Sequence, residues 1–347
     1  MQALILAGGK GTRLRPLTVY TPKPIVPLGN RPFLLTQIET LKRAGITNIV
    51  MSLSYQPDKI EQVLDDGLEH GVRLQYLTEP NPMGTAGAYR YAADFLREPT
   101  IVFNGDILTD IDLSAVVEFH KQKKSLATIV LTRVENPSAY GLVETANDGK
   151  VLRFLEKPKP EELAELKLDT INAGIYILEP SIVEMIPKGE NYSFEYGLFP
   201  DLLRQEKPFY AFVSENSYWL DIGTPDRYLQ AHRDLISGKI RNLHFEGQRG
   251  DFEAAHTAEI DRASFIAEGC VIKPGARIVN SFLGNNVYVE EKAVIENSVI
   301  WAHTRINQNA VVTNSIIGRG CHIGRFVNVR DDSVLGDKTT LTDYTQV

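Results

Sequence analysis

NSFLGNNVYVEEKAVIENSVI (280–300) carries an aliphatic residue at six-residue steps, Leu283, Val289 and Ile295, framed by two serines 17 residues apart. The same phrase recurs on both sides. ASFI (263–266), NSFL (280–283), NSVI (297–300), NSII (314–317) and DSVL (332–335) place Ser264, Ser281, Ser298, Ser315 and Ser333 at spacings of 17, 17, 17 and 18. Ile266, Ile272 and Ile278, then Ile300, Ile306 and Val312, then Ile317, Ile323 and Val329 continue the hexad, and Leu335 and Leu341 follow. Three hexads, one usually short by a residue, make one repeat; one inward aliphatic per flat strand and a turn every six residues predict a parallel β-helix over 263–347. The two cysteines, Cys270 and Cys321, are three repeats apart, so coils stacked about 4.8 Å apart hold them about 14 Å from each other, beyond disulfide reach. They read as buried fillers.

Upstream, the pattern changes. Runs rich in aliphatic residues at Ala3–Leu6, Asn48–Leu53, Arg73–Tyr76, Ile101–Asn104 and Leu126–Thr132 alternate with helical periodicity at Phe33–Ala44, Asp58–Leu68 and Thr85–Leu96. That alternation predicts a mostly parallel sheet covered on both faces, with ligands bound beyond the carboxyl ends of its strands. The resulting division is 1–235, a connecting segment 236–262 without clear periodicity, and 263–347. A chain of 347 residues with 43% hydrophobic content has room for two cores. Its net charge of −7 falls as −5 over residues 1–240 and −2 beyond, so neither part offers a basic nucleic-acid surface. No apolar run approaches the ~20 residues of a membrane span. The opening MQALILAGGK has no basic residue ahead of its short apolar stretch, and the expectation is a cytoplasmic protein.

Two segments with chemistry follow predicted strand ends. LAGGKGTRLRPLT (6–18) and TPKP (21–24) combine glycines that let backbone amides approach an anion with Arg13 and Lys23 as phosphate-directed cations. The run lacks the Lys-Ser/Thr of a P-loop and the spacing of a dinucleotide fingerprint. Asp106 follows the strand Ile101–Asn104. Each residue has a plainer reading: Asp106 as a cap, Asp221 as a turn acid, Lys157 as a solvated loop lysine, Asn172–Gly174 as a turn. His303 and His322, placed at neighbouring turn positions of adjacent coils, read as solvated corner histidines rather than as an acyl-transfer base.

GGKGTRLRPLT with PKP closely resembles the signature of sugar-1-phosphate nucleotidyltransferases. FNGD (103–106), YGLVE (140–144), FLEKP (154–158), NAGIYIL (172–178) and WLDIGTPDRY (219–228) match the same family, and the hexad tail resembles the left-handed β-helix of bacterial transferases. The resemblance implies a Rossmann-like α/β domain followed by an all-β left-handed parallel β-helix. It assigns Leu6, Ala7, Gly8, Gly9, Gly11, Thr12, Arg13 and Lys23, with Gly84 and Thr85, to the nucleotide. Gly141, Glu156, Lys157, Asn172 and Gly174 fall to the sugar phosphate, and Asp106 and Asp221 to Mg2+. Arg13, Lys23, Asp106, Lys157 and Asp221 then form the catalytic set.

EPNPMGTAGA (79–88) and VENPSAYG (134–141) resemble mannose-1-phosphate guanylyltransferases. Thymidylyl- and many adenylyltransferases tend to carry a glutamine in the first of these loops, and this sequence has none there. The expected substrates are GTP and mannose-1-phosphate; the same motifs fit dTTP or UTP with glucose-1-phosphate. A different class, a non-catalytic regulatory subunit that binds nucleotide sugar, would have degraded cationic and acidic positions, whereas all five are present. The expected partners are small molecules and further copies of the chain joined through the β-helix, with no nucleic acid and no membrane.

Overall fold

Nine strands form the central sheet: β1 (Gln2–Leu6), β2 (Asn48–Leu53), β3 (Arg73–Thr78), β4 (Thr100–Asn104), β5 (Ala127–Arg133), β6 (Leu142–Thr145), β7 (Val151–Leu155), β8 (Thr170–Leu178) and β9 (Phe209–Ser214). They belong to a computed structural model that describes the chain except for residues 135–136, 157–168, 242 and 244–248. The order is β7-β6-β8-β4-β1-β2-β3, with β5 on β8 to either side of a break in register and β9 on β5. Seven strands run one way, and β7 and β8 run the other. Ala3, Leu4 and Ile5 of β1 are wholly buried, as a strand covered on both faces requires.

Among the described residues the α-helices are α1 (Leu34–Arg43), α2 (Pro57–Leu64), α3 (Gly84–Tyr91), α4 (Leu113–Lys123), α5 (Phe199–Arg204) and α6 (Pro225–Ile236). Helix α2 stops four residues before its periodicity does, because Asp65 and Gly67 take left-handed backbone angles. Helix α3 also ends early, giving way to a 3-10 turn at Ala93–Phe95. The chain divides into two compact units that do not follow its linear order: Met1–Gly9 with Thr36–Trp219, and Lys10–Leu35 with Leu220–Val347.

In the second unit, three parallel sheets of six, five and five short strands form the β-helix. Val271 pairs with Tyr288, Tyr288 with Arg305 and Arg305 with His322, so the register is the 17-residue repeat itself. Strand pairing begins at Glu253–Ala254 and Glu259–Ile260, ahead of residue 263, and Ile260, six residues before Ile266, packs on the core of the coils. Both residues of the first of these strands are exposed, so nothing there demands an aliphatic. Corners demand left-handed backbone instead. Asn280, Asn297 and Asn314 mark one corner, Asn286, His303 and Gly320 the next, and Lys292, Asn309 and Phe326 the third, all with φ between 47° and 65°. Asparagine reaches that region more readily than most residues. His303 is thus a corner residue, but His322 lies within a strand, with Nε2 3.0 Å from Asn307 Nδ2, so the two are not equivalent turn positions.

The recurring serine has a structural cause that spacing did not reveal. Each hydroxyl accepts the backbone N–H of the serine one coil on: Ser264 from Ser281 at 3.0 Å, Ser281 from Ser298 at 3.1 Å, and Ser298 from Ser315 at 3.1 Å. Ser281, Ser298 and Ser315 each donate at 2.7 Å to the carbonyl two residues before them. A parallel ladder runs through the cysteine position, where the Cys270 and Cys321 thiols donate to Gly284 and Gly336 carbonyls, each at 3.2 Å, and Thr304 donates to Gly318 at 2.8 Å. Both thiols are free, and burial pushes them up from the ordinary cysteine value.

Replacing Ser298 with Ala strands the buried Ser315 N–H, which costs about 1–3 kcal/mol. Chemical denaturation of Ser298→Ala should show that loss. Alkylation by iodoacetamide should leave Cys270 and Cys321 unmodified in the native protein and label both in denaturant, because neither thiolate nor access is available in the fold.

Candidate active site

At the carboxyl ends of β1 and β4 the backbone comes as close as it can. Gly105 N–H donates to Leu6 O at 2.9 Å, and a Cβ on Gly105 would stand 2.7 Å from that oxygen. Glycine is therefore required, and Leu6–Ala7 and Gly105–Asp106 leave the sheet side by side, with Asp106 half-buried. Ala7 N–H is held by Ser52 O at 2.9 Å. Ser54 Oγ donates to Gly8 O, and a Cβ on Gly8 would meet Ser54 Oγ at 2.8 Å and Glu79 Oε1 at 3.4 Å. Nothing lies within 4 Å of a Cβ placed on Gly9, leaving open space for an incoming group. Glu79 accepts the Ser52 hydroxyl at 2.7 Å and the Met83 N–H at 3.2 Å, which ties β2 to the approach of Gly84. Gly84 itself has φ +71°, and a Cβ there would be 2.6 Å from Tyr192 O.

The positions read as sugar-phosphate contacts gather within the same unit. Asn172 N–H donates to Gly141 O at 2.8 Å, and a Cβ on Gly141 would be 2.6 Å from Glu156 Oε2. Between Asn172 and Tyr176 the pairing of β8 with β5 shifts register, and Gly174 sits there at φ +72° with Asn104 Nδ2 at 2.8 Å from its missing Cβ. Trp219 Nε1 donates to Ala173 O at 2.9 Å and meets Tyr140 edge-on, fixing the bulge from outside. Lys157 lies outside the described residues.

The remaining positions belong to the second unit. Gly11, at φ +61°, packs under Lys23, whose Cβ is 3.0 Å from where a glycine Cβ would be; Thr18 Oγ1 donates to Gly11 O at 2.7 Å. Lys23 is 8% exposed and begins a 3-10 turn, Lys23–Ile25, with Pro22 before it and Pro24 within it, while Thr12 and Arg13 are exposed. A Cβ on Gly223 would lie 2.9 Å from Arg13 Nη2 and 3.2 Å from Asp221 Oδ2. Asp221 is ion-paired with Arg227 from the first turn of α6. Arg13 and Asp221 thus meet beside Gly223, and Arg227 holds Asp221. This cationic loop is fastened to the β-helix: Asn30 Nδ2 donates to Leu283 O at 2.9 Å, Trp301 Nε1 to Tyr228 Oη at 3.0 Å, and Tyr228 to Pro27 O.

Sequence reasoning missed Glu79, Ser54, Tyr176, Glu195 and Arg227. Glu79, Tyr176 and Arg227 lay inside the quoted stretches 79–88, 172–178 and 219–228, whereas Ser54 and Glu195 lay in none. Among the described residues no group of three or more His, Cys, Asp or Glu side chains is placed to hold a metal. None of their helices is long and apolar enough to cross a membrane.

Strand ends that leave the sheet through close-packed glycines, and a loop that carries arginine and lysine, are each suited to phosphorylated ligands. Residues 2–238 match the family model described as Nucleotidyl transferase, and the chain belongs to that family. Residues 246–347 match the LbH domain of EIF2B subunit epsilon, which makes the coil left-handed. The mannose-1-phosphate guanylyltransferase of Mycobacterium tuberculosis is 36% identical over 280 residues, 80% of this chain and 76% of the relative. The mannose-1-phosphate guanyltransferase of Saccharomyces cerevisiae is 38% identical, over 75% of this chain and 70% of its own length. The UTP–glucose-1-phosphate uridylyltransferase of Synechocystis sp. is also 38% identical, over 71% and 66%. A crystal structure of a candidate glucose-1-phosphate thymidylyltransferase from Bacillus anthracis aligns with TM-score 0.61 at 25% identity, covering 71% of this chain and 97% of that one. This protein is a nucleotidyltransferase.

Substituting Gly223 with Ala pushes a methyl against the mobile end of Arg13, which moves aside at little cost to folding. The melting temperature should stay within about 2 °C, while catalytic efficiency falls about ten- to a hundred-fold, the worth of one charge-assisted contact. Thermal melts and steady-state kinetics of Gly223→Ala check both.

Proposed function

We propose that the chain transfers a guanylyl group from GTP to mannose-1-phosphate, forming GDP-mannose and pyrophosphate. The observation that carries this reading is the loop 79–88, which enters α3 as Gly84–Thr85–Ala86–Gly87 without a glutamine, in a chain whose relatives include guanylyltransferases from a bacterium and a yeast. A phosphate oxygen of the sugar phosphate attacks the α-phosphorus; that P–O bond forms as the α–β anhydride bond breaks. Both reactants are anions, so bringing them together is the main electrostatic task.

Gly8, Gly9, Gly11 and Thr12 cradle the nucleotide phosphates through backbone amides, and Arg13 and Lys23 neutralise them. Gly141, Glu156, Asn172 and Gly174 hold the sugar phosphate, with Lys157 on its phosphoryl group. Asp106 and Asp221 are assigned as metal-binding carboxylates, and two hard oxygen donors suit a Mg2+ that keeps waters and takes phosphate oxygens. Bound Mg2+ would supply charge neutralisation at the reacting phosphates. The protein acts in the cytoplasm as a homo-oligomer joined through the β-helix, whose last corners expose the stacked pair Phe326 and Tyr344.

A pyrophosphate-release screen of four NTPs against mannose-, glucose- and galactose-1-phosphate tests the substrate reading. GTP with mannose-1-phosphate should give the highest catalytic efficiency; a ten-fold preference for UTP or dTTP with glucose-1-phosphate selects the alternative reading, of which the Synechocystis relative's name carries the UTP form. Turnover with any pair removes the regulatory-subunit alternative. Asp106→Asn and Asp221→Asn should each abolish most of the Mg2+ dependence, and the double variant should fall far short of additive loss, as residues acting as one unit do.

A further inference from the structure

Glu195, in the π-helical turn Phe194–Leu198 before α5, receives three hydroxyls. Thr85 Oγ1 donates to Oε2 at 3.0 Å, Ser193 Oγ to Oε2 at 2.6 Å, and Tyr176 Oη to Oε1 at 3.1 Å. The directions are forced. Thr85 Oγ1 already accepts Phe194 N–H at 2.8 Å, and Ser193 Oγ accepts the N–H groups of Glu195 and Tyr196, so their protons point to the carboxylate. Tyr176 is fully buried, and burial with Glu195 beside it raises its phenol well above the ordinary value, so it stays a donor. With its proton spent on Glu195, its lone pair accepts Asn172 Nδ2 at 2.9 Å, and Asn172 Oδ1 accepts Gly174 N–H at 2.9 Å. Both contacts agree on which end of the Asn172 amide is nitrogen, and one N–H of that group remains for a ligand.

We propose that Glu195 is a positioning residue of the transfer reaction. One arm, through Thr85, holds the start of α3; the other, through Tyr176, orients the Asn172 amide in the bulge of β8. A single carboxylate thereby sets the geometry of a nucleotide contact and a sugar-phosphate contact together. The inference rests on the assignment of Thr85 to the nucleotide and Asn172 to the sugar phosphate, but on neither the base nor the sugar.

The arms can be cut separately. Tyr176→Phe should raise KM for the sugar phosphate about ten-fold and leave KM for the nucleotide within two-fold; Thr85→Val should do the reverse. Glu195→Gln, which turns an N–H toward at least one inward hydroxyl, should raise both. Adding Tyr176→Phe to Glu195→Gln should worsen the sugar-phosphate KM by less than two-fold, because that arm is already cut. Kinetics should use whichever NTP and sugar phosphate the wild type turns over best, so a wrong substrate assignment leaves the test intact. Melting temperatures identify variants that merely fold poorly, and Thr85→Val is conservative enough to be read if Glu195→Gln is not. Unchanged KM values in folded Tyr176→Phe and Thr85→Val, or a fall in kcat alone for all three, would overturn the proposal.

Discussion

Two parallel strands, β1 and β4, end with their backbones joined by one hydrogen bond, and the candidate site residues of the first unit are arranged around that contact. Because no side chain fits at Gly105, the turn after β4 lies against Leu6–Ala7, and the half-buried Asp106 leaves the sheet beside the glycine run. The same economy recurs at Gly141 against Glu156 and at Gly174 against Asn104, where missing Cβ atoms let a carboxylate and an amide approach the main chain. These glycines give up conformational entropy to gain proximity, a trade that makes sense only where backbone geometry must be exact to a fraction of an ångström.

The second unit shows that linear order and structural grouping are different things. Residues 10–35 lie between β1 and most of α1 in sequence, yet they form a compact body with α6 and the β-helix, fixed by Asn30 on Leu283 and by the Trp301–Tyr228–Pro27 relay. The loop carrying Arg13 and Lys23 therefore rests on a scaffold stiffened by stacked coils.

Much of this was legible beforehand, and the reasons are physical. Aliphatic runs at β1, β2 and β4 and the 17-residue period each report one dominant force, burial, repeated at regular spacing. The glycine and aspartate motifs are legible because few residue types meet their steric and charge demands. Glu195, Glu79 and Ser54 were not: each has a partner more than 20 residues away, Thr85, Ser52 and Gly8 respectively, and no local pattern betrays a contact of that kind. The first coil was overlooked for the opposite reason, since its exposed Glu253–Ala254 strand buries little and leaves Ile260, six residues before Ile266, as a faint trace. Helix ends at Leu64 and Tyr91 were overrun because periodicity measures a face, and the backbone stops where left-handed angles or a tighter turn intervene.

The serine ladder sets how this tail can change in length. Every hydroxyl from Ser264 to Ser298 is engaged by the next coil, so interior material can be gained or lost only as whole turns; anything smaller would put each later serine out of step with its predecessor. The constraint lapses at the final repeat. There the spacing is 18, Asp331 and Asp332 both take left-handed angles, and the Ser333 hydroxyl folds back to Arg330 O. Length is quantised wherever one serine is bonded to the next, and the one extra residue of the 18-residue repeat falls where that bonding stops.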